Sequence, residues 1–522
     1  MRHGSDTRRR PARPPSARVR ADFSETYKRT GPPPSFSPDG AKVATAVDHR
    51  LVLRDAETLA VIFMQDCVAK IEHVEWSRDS DHVLCAMYKK GKVQCFRASD
   101  DEWRCAIDEG PAGIAFARWA PCGAAILCVT EFKLRVSVWS LADGTCVYIR
   151  APKFDDGRGL DFSPDGKWLA FVRRERCVDS IVVVDARDWT AASAFEVATQ
   201  DLADARWSPD STSIAVHDAP HAYGLVLYAP DGRVLRDFEP DVEGGPGGPV
   251  TAGPGAKAAA DSAARAGVLC QRWSSGGSFL AAGGRDRRCR VLNHVSWRAF
   301  ADLAHADRVV APATVAVYEE TETRATRNRD GDEKENADEN ASASGEWWDD
   351  VLDDTKTDTR AAAARREREL ESGALVPKYV VRALPASLPT DDAAAEEKAS
   401  REPVPGAFES GVSRAAWSHD DRFLATCDAR TSRAVWIWDM VNIELCAVLV
   451  QMERVSAFEW DPRANRLAVV TGSARAYVWS PDGASFVQIP LPGFKAKTVS
   501  WNPAGGSFAL GDTGTFCCAF LG

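Results

Sequence analysis

Between residues 160 and 185 apolar and polar positions alternate in short blocks, each closed by a turn signal. Leu160-Asp-Phe162 leads into Ser163-Pro-Asp-Gly166, then comes Trp168-Leu-Ala-Phe-Val172, and after a charged turn Ser180-Ile-Val-Val-Val-Asp185. Alternation with a period of two predicts β-strands. Pro and Asp-Gly supply the φ values that a reversal between antiparallel strands requires. The same block is written nine times, each copy anchored by an aromatic residue before the turn. The anchors are Phe36, Trp76, Trp119, Phe162, Trp207, Trp273, Trp417, Trp460 and Trp501, at spacings of 40, 43, 43, 45, 66, 144, 43 and 41 residues.

A repeat of about 40–45 residues carrying four short strands is the pattern of WD-type propeller blades. One blade cannot bury both faces of its sheet, whereas neighbours stacked around a ring can. The expected fold is therefore all-β, a WD-repeat β-propeller of nine blade-like repeats in one closed ring, with two smaller rings as the alternative. Third strands close in phrases such as Val136-Ser-Val-Trp139-Ser and Val435-Trp-Ile-Trp438-Asp439. The last copy ends after Thr515-Phe-Cys-Cys-Ala-Phe520, one strand short. The segment around Phe23 and Tyr27, ahead of the first anchor, is placed to supply that strand and protect an open edge.

Composition divides the chain further. Residues 1–21 form an Arg- and Pro-rich tail expected to be disordered, and residues 22–522 the propeller. Two inserts interrupt it: a Gly/Pro/Ala-rich loop over 240–266 and an acidic, largely disordered segment over 319–405. Residues 319–372 hold 18 acids and 9 bases, most of the chain's net charge of −10. What remains is mildly acidic, which gives no footprint for general nucleic-acid binding. No run of eighteen or more apolar residues predicts a membrane span. The fourteen cysteines are scattered through strand-like segments with no CxxC spacing and only Cys517 and Cys518 adjacent, so buried, reduced thiols of a cytosolic protein are expected rather than disulfides or zinc.

Candidate chemistry is sparse. HExxH, GxSxG and phosphate-loop motifs are absent. His217, Asp218 and His221 form the only local cluster, in a turn between strands, where hydrogen bonding is favoured over metal ligation. The prediction is no enzyme, no cofactor and no metal. Candidate partner-binding residues are Trp347 and Trp348 in the acidic insert, since aromatic anchors dominate interface energetics. Exposed turns add Lys89, Lys90 and Lys92, and Arg285, Arg287 and Arg288. Lys334-Glu335-Asn336 spells a KEN-type degradation motif within the same insert.

Several phrases exceed what blade physics demands. They include Ala86-Met-Tyr-Lys-Lys-Gly91, Glu102-Trp-Arg-Cys-Ala-Ile-Asp-Glu-Gly110, Thr130-Glu-Phe-Lys-Leu-Arg-Val-Ser-Val-Trp-Ser-Leu141 and Val291-Leu-Asn-His-Val-Ser-Trp297. Each resembles a segment of the centrosomal and spindle-pole WD-repeat family of WD repeat-containing protein eight, and the resemblance runs from Phe23 to about Leu521. The Arg-rich tail, the Gly/Pro loop and the acidic insert depart from it. The resemblance implies a non-catalytic scaffold in the cytoplasm and cytoskeleton, at the microtubule-organising centre. Its implied partner is a coiled-coil microtubule-anchoring protein of the SSX-interacting or Msd type, and through it microtubule minus ends. Roles in spindle organisation and in centriole and cilium assembly follow, with no nucleic acid and no membrane. A translation-initiation scaffold or another generic interaction platform is the alternative.

Overall fold

The computed structural model describes residues 20–221, 224–238, 267–310, 315–324, 375–391 and 411–521. Nine antiparallel sheets follow one another along the chain, and each is a blade. Blade 4, read above from alternation, comprises Leu160–Phe162, Trp168–Glu175, Val178–Asp185 and Ala191–Glu196, paired in that order. Nine apolar clusters each join one blade to the next. The ninth sets Phe36 and Val43 of blade 1 against Ala509, Phe516 and Cys518 of blade 9. The nine blades therefore form one ring, and the two-ring alternative is not realised.

The closure takes the expected form. Ala21–Phe23 pairs antiparallel with Thr515–Leu521, matching Ala21 to Leu521 and Phe23 to Ala519, so the N-terminal segment completes the last sheet. At the seam Asn502 Nδ2 donates to the Gly40 carbonyl at 3.1 Å. Gly40 has φ of 76°, and a Cβ there would lie 2.3 Å from Asn502 Oδ1, so no other residue fits this turn.

The repeated phrase has a physical reading in each of its parts. The serine hydroxyl bonds the aspartate two residues on and receives the backbone N–H five residues on, as in Ser37–Asp39 at 2.5 Å and Lys42 N to Ser37 Oγ at 2.9 Å. Ser163–Asp165 and Ser418–Asp420 repeat the device. The tryptophan serves the innermost strand, whose outer row of carbonyls has no neighbouring strand to bond. Trp76, Trp119, Trp207, Trp417, Trp460 and Trp501 each donate Nε1–H to an innermost-strand carbonyl of the preceding blade, at 2.9–3.2 Å. The anchor thus buries an aromatic body between blades and satisfies a backbone acceptor with the same side chain.

One expectation needs correcting. The ends of the acidic insert are structured: Ala316–Arg324 and Leu375–Arg382 form a hairpin, and Arg308–Val309 pairs with Ala386–Ser387. The first hairpin strand runs parallel to Glu444–Val450, the fourth strand of blade 7, making a six-stranded sheet. The acidic composition counted over 319–372 outweighed the β-prone residues on either side of it, Val317-Tyr318 and Tyr379-Val-Val381. Residues 1–19, 239–266, 325–374 and 392–410 lie outside the described residues.

Candidate interaction surfaces

Three carboxylates on innermost strands were not singled out in the sequence, and the structure shows what they do. Glu75, Asp161 and Glu459 each immediately precede an anchor residue on an innermost strand. Each accepts the backbone N–H of the next blade's anchor tryptophan: Trp119 at 3.2 Å, Trp207 at 2.8 Å and Trp501 at 3.1 Å. The carbonyl of the same residue takes that tryptophan's Nε1–H, so one residue holds two donors. Burial raises the pKa of Asp161, and it lifts Glu459 from 4.5 to about 7 against the opposing pull of the Trp501 N–H. These groups cap backbone donors between blades; Glu75 also lies 3.7 Å from His73 Nε2 and Asp161 3.8 Å from Arg206. The signal available in sequence was an acidic residue directly before three of the nine anchors.

Blade 7 carries a closed polar network. His305 Nδ1 lies 3.1 Å from the Arg287 carbonyl, which only accepts, so Nδ1 carries the proton. Nε2 then accepts from the Thr426 hydroxyl at 2.7 Å, and Thr426 Oγ1 accepts from Trp438 Nε1–H at 2.9 Å. Burial lowers the His305 pKa to about 4 and keeps the ring neutral. Asp428, fully buried, takes Arg287 Nε at 2.7 Å, and Arg287 also reaches Asp307 at 2.7 Å.

That placement corrects the reading of one basic turn. Arg287 is an internal strut between blades 6 and 7 and is not free for a partner, while Arg288 pairs with Asp302 at 2.5 Å. Arg285 bonds the Pro220 carbonyl at 3.3 Å. Of the lysines, Lys89 and Lys90 lie in the short 3-10 turn Tyr88–Lys90, which ends on Gly91 at φ 61°. Lys89 approaches Glu72 at 3.8 Å and Lys92 pairs with Asp108 at 3.0 Å, so both have acidic neighbours within the ring. Trp347, Trp348, Lys334, Glu335 and Asn336 lie outside the described residues.

The hairpin packs onto blades 7 and 8 through a buried ion pair. Glu320, wholly enclosed, accepts from Arg475, from the Tyr477 hydroxyl at 2.8 Å and from Met452 N–H at 3.0 Å. Arg475 also reaches Glu322 at 3.0 Å, and the Tyr379 hydroxyl donates to Gln451 at 2.9 Å. Among the described residues no group of three or more His, Cys, Asp or Glu side chains is placed to hold a metal. His217 is buried with its pKa lowered to about 4 by desolvation, and Asp218 accepts the backbone N–H groups of Gln200 and Asp201. All fourteen cysteines are free; most are buried or partly so, but Cys122 and Cys177 are exposed in turns, against expectation.

Comparison with known proteins fits this architecture. The family model described as WD domain, G-beta repeat matches residues 262–293 and 404–439. WD repeat-containing protein WRAP73 of Mus musculus is 35% identical over 501 residues, 96% of each chain. The chain belongs to the WRAP73 family of WD-repeat proteins. Two more partial relatives bear on how far WD-repeat likeness reaches. An uncharacterized WD repeat-containing protein of Schizosaccharomyces pombe is 26% identical over 17% of this chain and 21% of its own. Subunit 1A of the Arabidopsis thaliana actin-related protein 2/3 complex is 28% identical over 21% of this chain and 31% of its own. Among solved structures, the C-terminal WD40 domain of Sif2 aligns over 96% of this chain and 98% of its own, at 10% identity and a TM-score of 0.46. WD-repeat family membership at full length, which the quoted segments implied, is therefore shown.

Proposed function

We propose that this member of the WRAP73 family is a non-catalytic scaffold of the centrosome and spindle pole. Its ring binds a coiled-coil anchoring protein of the SSX-interacting or Msd type and through it tethers microtubule minus ends. The observation that carries the reading is the full-length similarity to a WD-repeat protein, 35% over 96% of both chains. The centrosomal resemblance of the segments around Met87, Trp103, Phe132 and His294 gives it direction. The site chemistry is consistent with a platform: Glu75, Asp161 and Glu459 on the innermost strands and His305 beside blade 7 are bonded to backbone or to neighbouring side chains. What the ring offers outward are its turns and rims, where specificity in such scaffolds resides.

The test is to image a fluorescently tagged chain with tubulin through mitosis and to purify its partners. Focal signal at spindle poles with a coiled-coil protein recovered in near-equal amount supports the role. Diffuse or ribosome-associated signal without that partner overturns it.

A further inference from the structure

The turn joining Ala125–Val129 to Arg135–Ser140 in blade 3 turns large apolar side chains outward. Phe132 is 81% exposed and Leu134 58%, and Phe132 is the most exposed aromatic residue among those described. The backbone holds them there: Phe132 and Lys133 are consecutive left-handed residues, at φ 58° and 57°, a conformation that glycine adopts freely and L side chains adopt at a cost. The corresponding turn of blade 2 gives its left-handed position to Gly91 and lays Tyr88 inward against His73.

The surroundings extend the surface. Ala151, just past the fourth strand of blade 3, donates to the Leu134 carbonyl at 3.4 Å and accepts from Arg174 N–H at 3.2 Å. The Phe132 turn and the blade 4 hairpin therefore flank one loop. That hairpin reverses on Arg176 and Cys177, again both left-handed. Lys133, Arg150 and Arg176 are exposed and have no carboxylate partner among the described residues, whereas nearby Arg174 is held by Asp179 and Asp201 at 2.6 Å each. Two exposed apolar side chains thus sit beside three cations that make no ion pair among the described residues; of the exposed acids in the two turns, Glu175 approaches Arg173 at 3.8 Å and Glu131 is the other.

The geometry points to a docking site for an acidic amphipathic helix of a partner protein, centred on Phe132 and Leu134 and ringed by Lys133, Arg150 and Arg176. Apolar positions one helical turn apart cover Phe132 and Leu134, and flanking carboxylates meet the cations. The inference rests on the anchoring reading above, and gives the coiled-coil partner a surface and a charge.

The experiment titrates a labelled, purified coiled-coil anchoring protein of the SSX-interacting type with the full chain and its variants, folding being checked by thermal melting. Phe132→Ala with Leu134→Ala is expected to weaken binding by about 30-fold. Lys133→Glu, Arg150→Glu and Arg176→Glu together are expected to cost about tenfold and to flatten the salt dependence. Arg187→Glu, an exposed cation on the turn between the third and fourth strands of blade 4, stays within about twofold of the original. If the unaltered chain does not bind, the anchoring reading fails. If it binds and the Phe132/Leu134 variant binds equally well, the surface assignment alone fails. Loss of self-association by that variant in sedimentation, with partner binding unchanged, also overturns the assignment and makes the occupant a second copy of the chain.

Discussion

Blades 7 and 8 and blades 3 and 4 share a sequence plan and end in opposite states. At blades 7 and 8 a foreign hairpin covers the rim, Glu320 meets Arg475, and His305, Thr426 and Trp438 use one another's donors and acceptors. Trp436 and Trp438 stack at 5.9 Å and 9° beside that network. At blades 3 and 4 left-handed turns hold Phe132 outward, and three cations have no carboxylate partner among the described residues. Some groups are shared inside even there: Lys153 is buried between Asp179 and Asp201 at 2.8 and 2.7 Å. The contrast teaches that a ring of near-equivalent blades assigns stability to one sector and availability to another. Side chains paired within the ring stabilise it and cannot recognise a partner, and the reverse also holds.

The comparison breaks most readily at the sealed sector. Arg475→Ala leaves Glu320 buried without a counter-charge and is expected to cost about 3–5 kcal/mol, read as a fall in the urea midpoint. A midpoint unchanged within error would show that the hairpin is not held by this pair. Protonation gives the next largest effects, with opposite signs. His305 has its folded pKa lowered from 6.5 to about 4, so its contribution is present above pH 6.5 and is lost as pH falls toward 4, by at most about 3 kcal/mol. Acid unfolding profiles of the original chain and of His305→Gln check this, the variant losing that part of the slope.

Glu459 runs the other way. Its folded pKa is raised from 4.5 to about 7, so its contribution is greatest at low pH and declines as pH rises from about 4.5 through 7, again by at most about 3 kcal/mol. Glu459→Gln should flatten that decline, and a profile identical to the original would remove the carboxylate from the account. The smallest stability effect belongs to the open sector. Phe132→Ala is expected to change stability by less than about 0.5 kcal/mol, because the side chain is already in water. Lys133→Gly should be neutral or stabilising by up to about 1 kcal/mol, since glycine relieves the left-handed strain at the cost of unfolded-state entropy. A large loss from either change would make the turn structural and erase the contrast.

Much of the ring was legible because its determinants are local. The alternation around Trp168 and Ser180, the Ser-Pro-Asp-Gly turns and the missing last strand depend on neighbours a few residues apart, and the sheets follow them. The candidate sites were far less legible. Arg287 read as an exposed turn residue because its partner Asp428 lies 141 residues away, across an insert whose composition reveals nothing about pairing. Glu320 counted as one more solvated acid for the same reason, with Arg475 155 residues on. Phe132 drew no site reading of its own, because its exposure depends on a left-handed turn that the letters Glu-Phe-Lys-Leu do not announce.

The sequence by itself determined the repeat, its strands and turns, the number of blades and the means of closure. These follow from period-two alternation and turn chemistry, which act over a few residues. Only the tertiary structure decided that the blades make one ring, that the rim of blade 7 is covered by the ends of the insert, and which charges face one another or water. Burial and Coulomb pairing depend on distance in space, and a closed ring brings together residues that the chain order keeps a hundred or more positions apart.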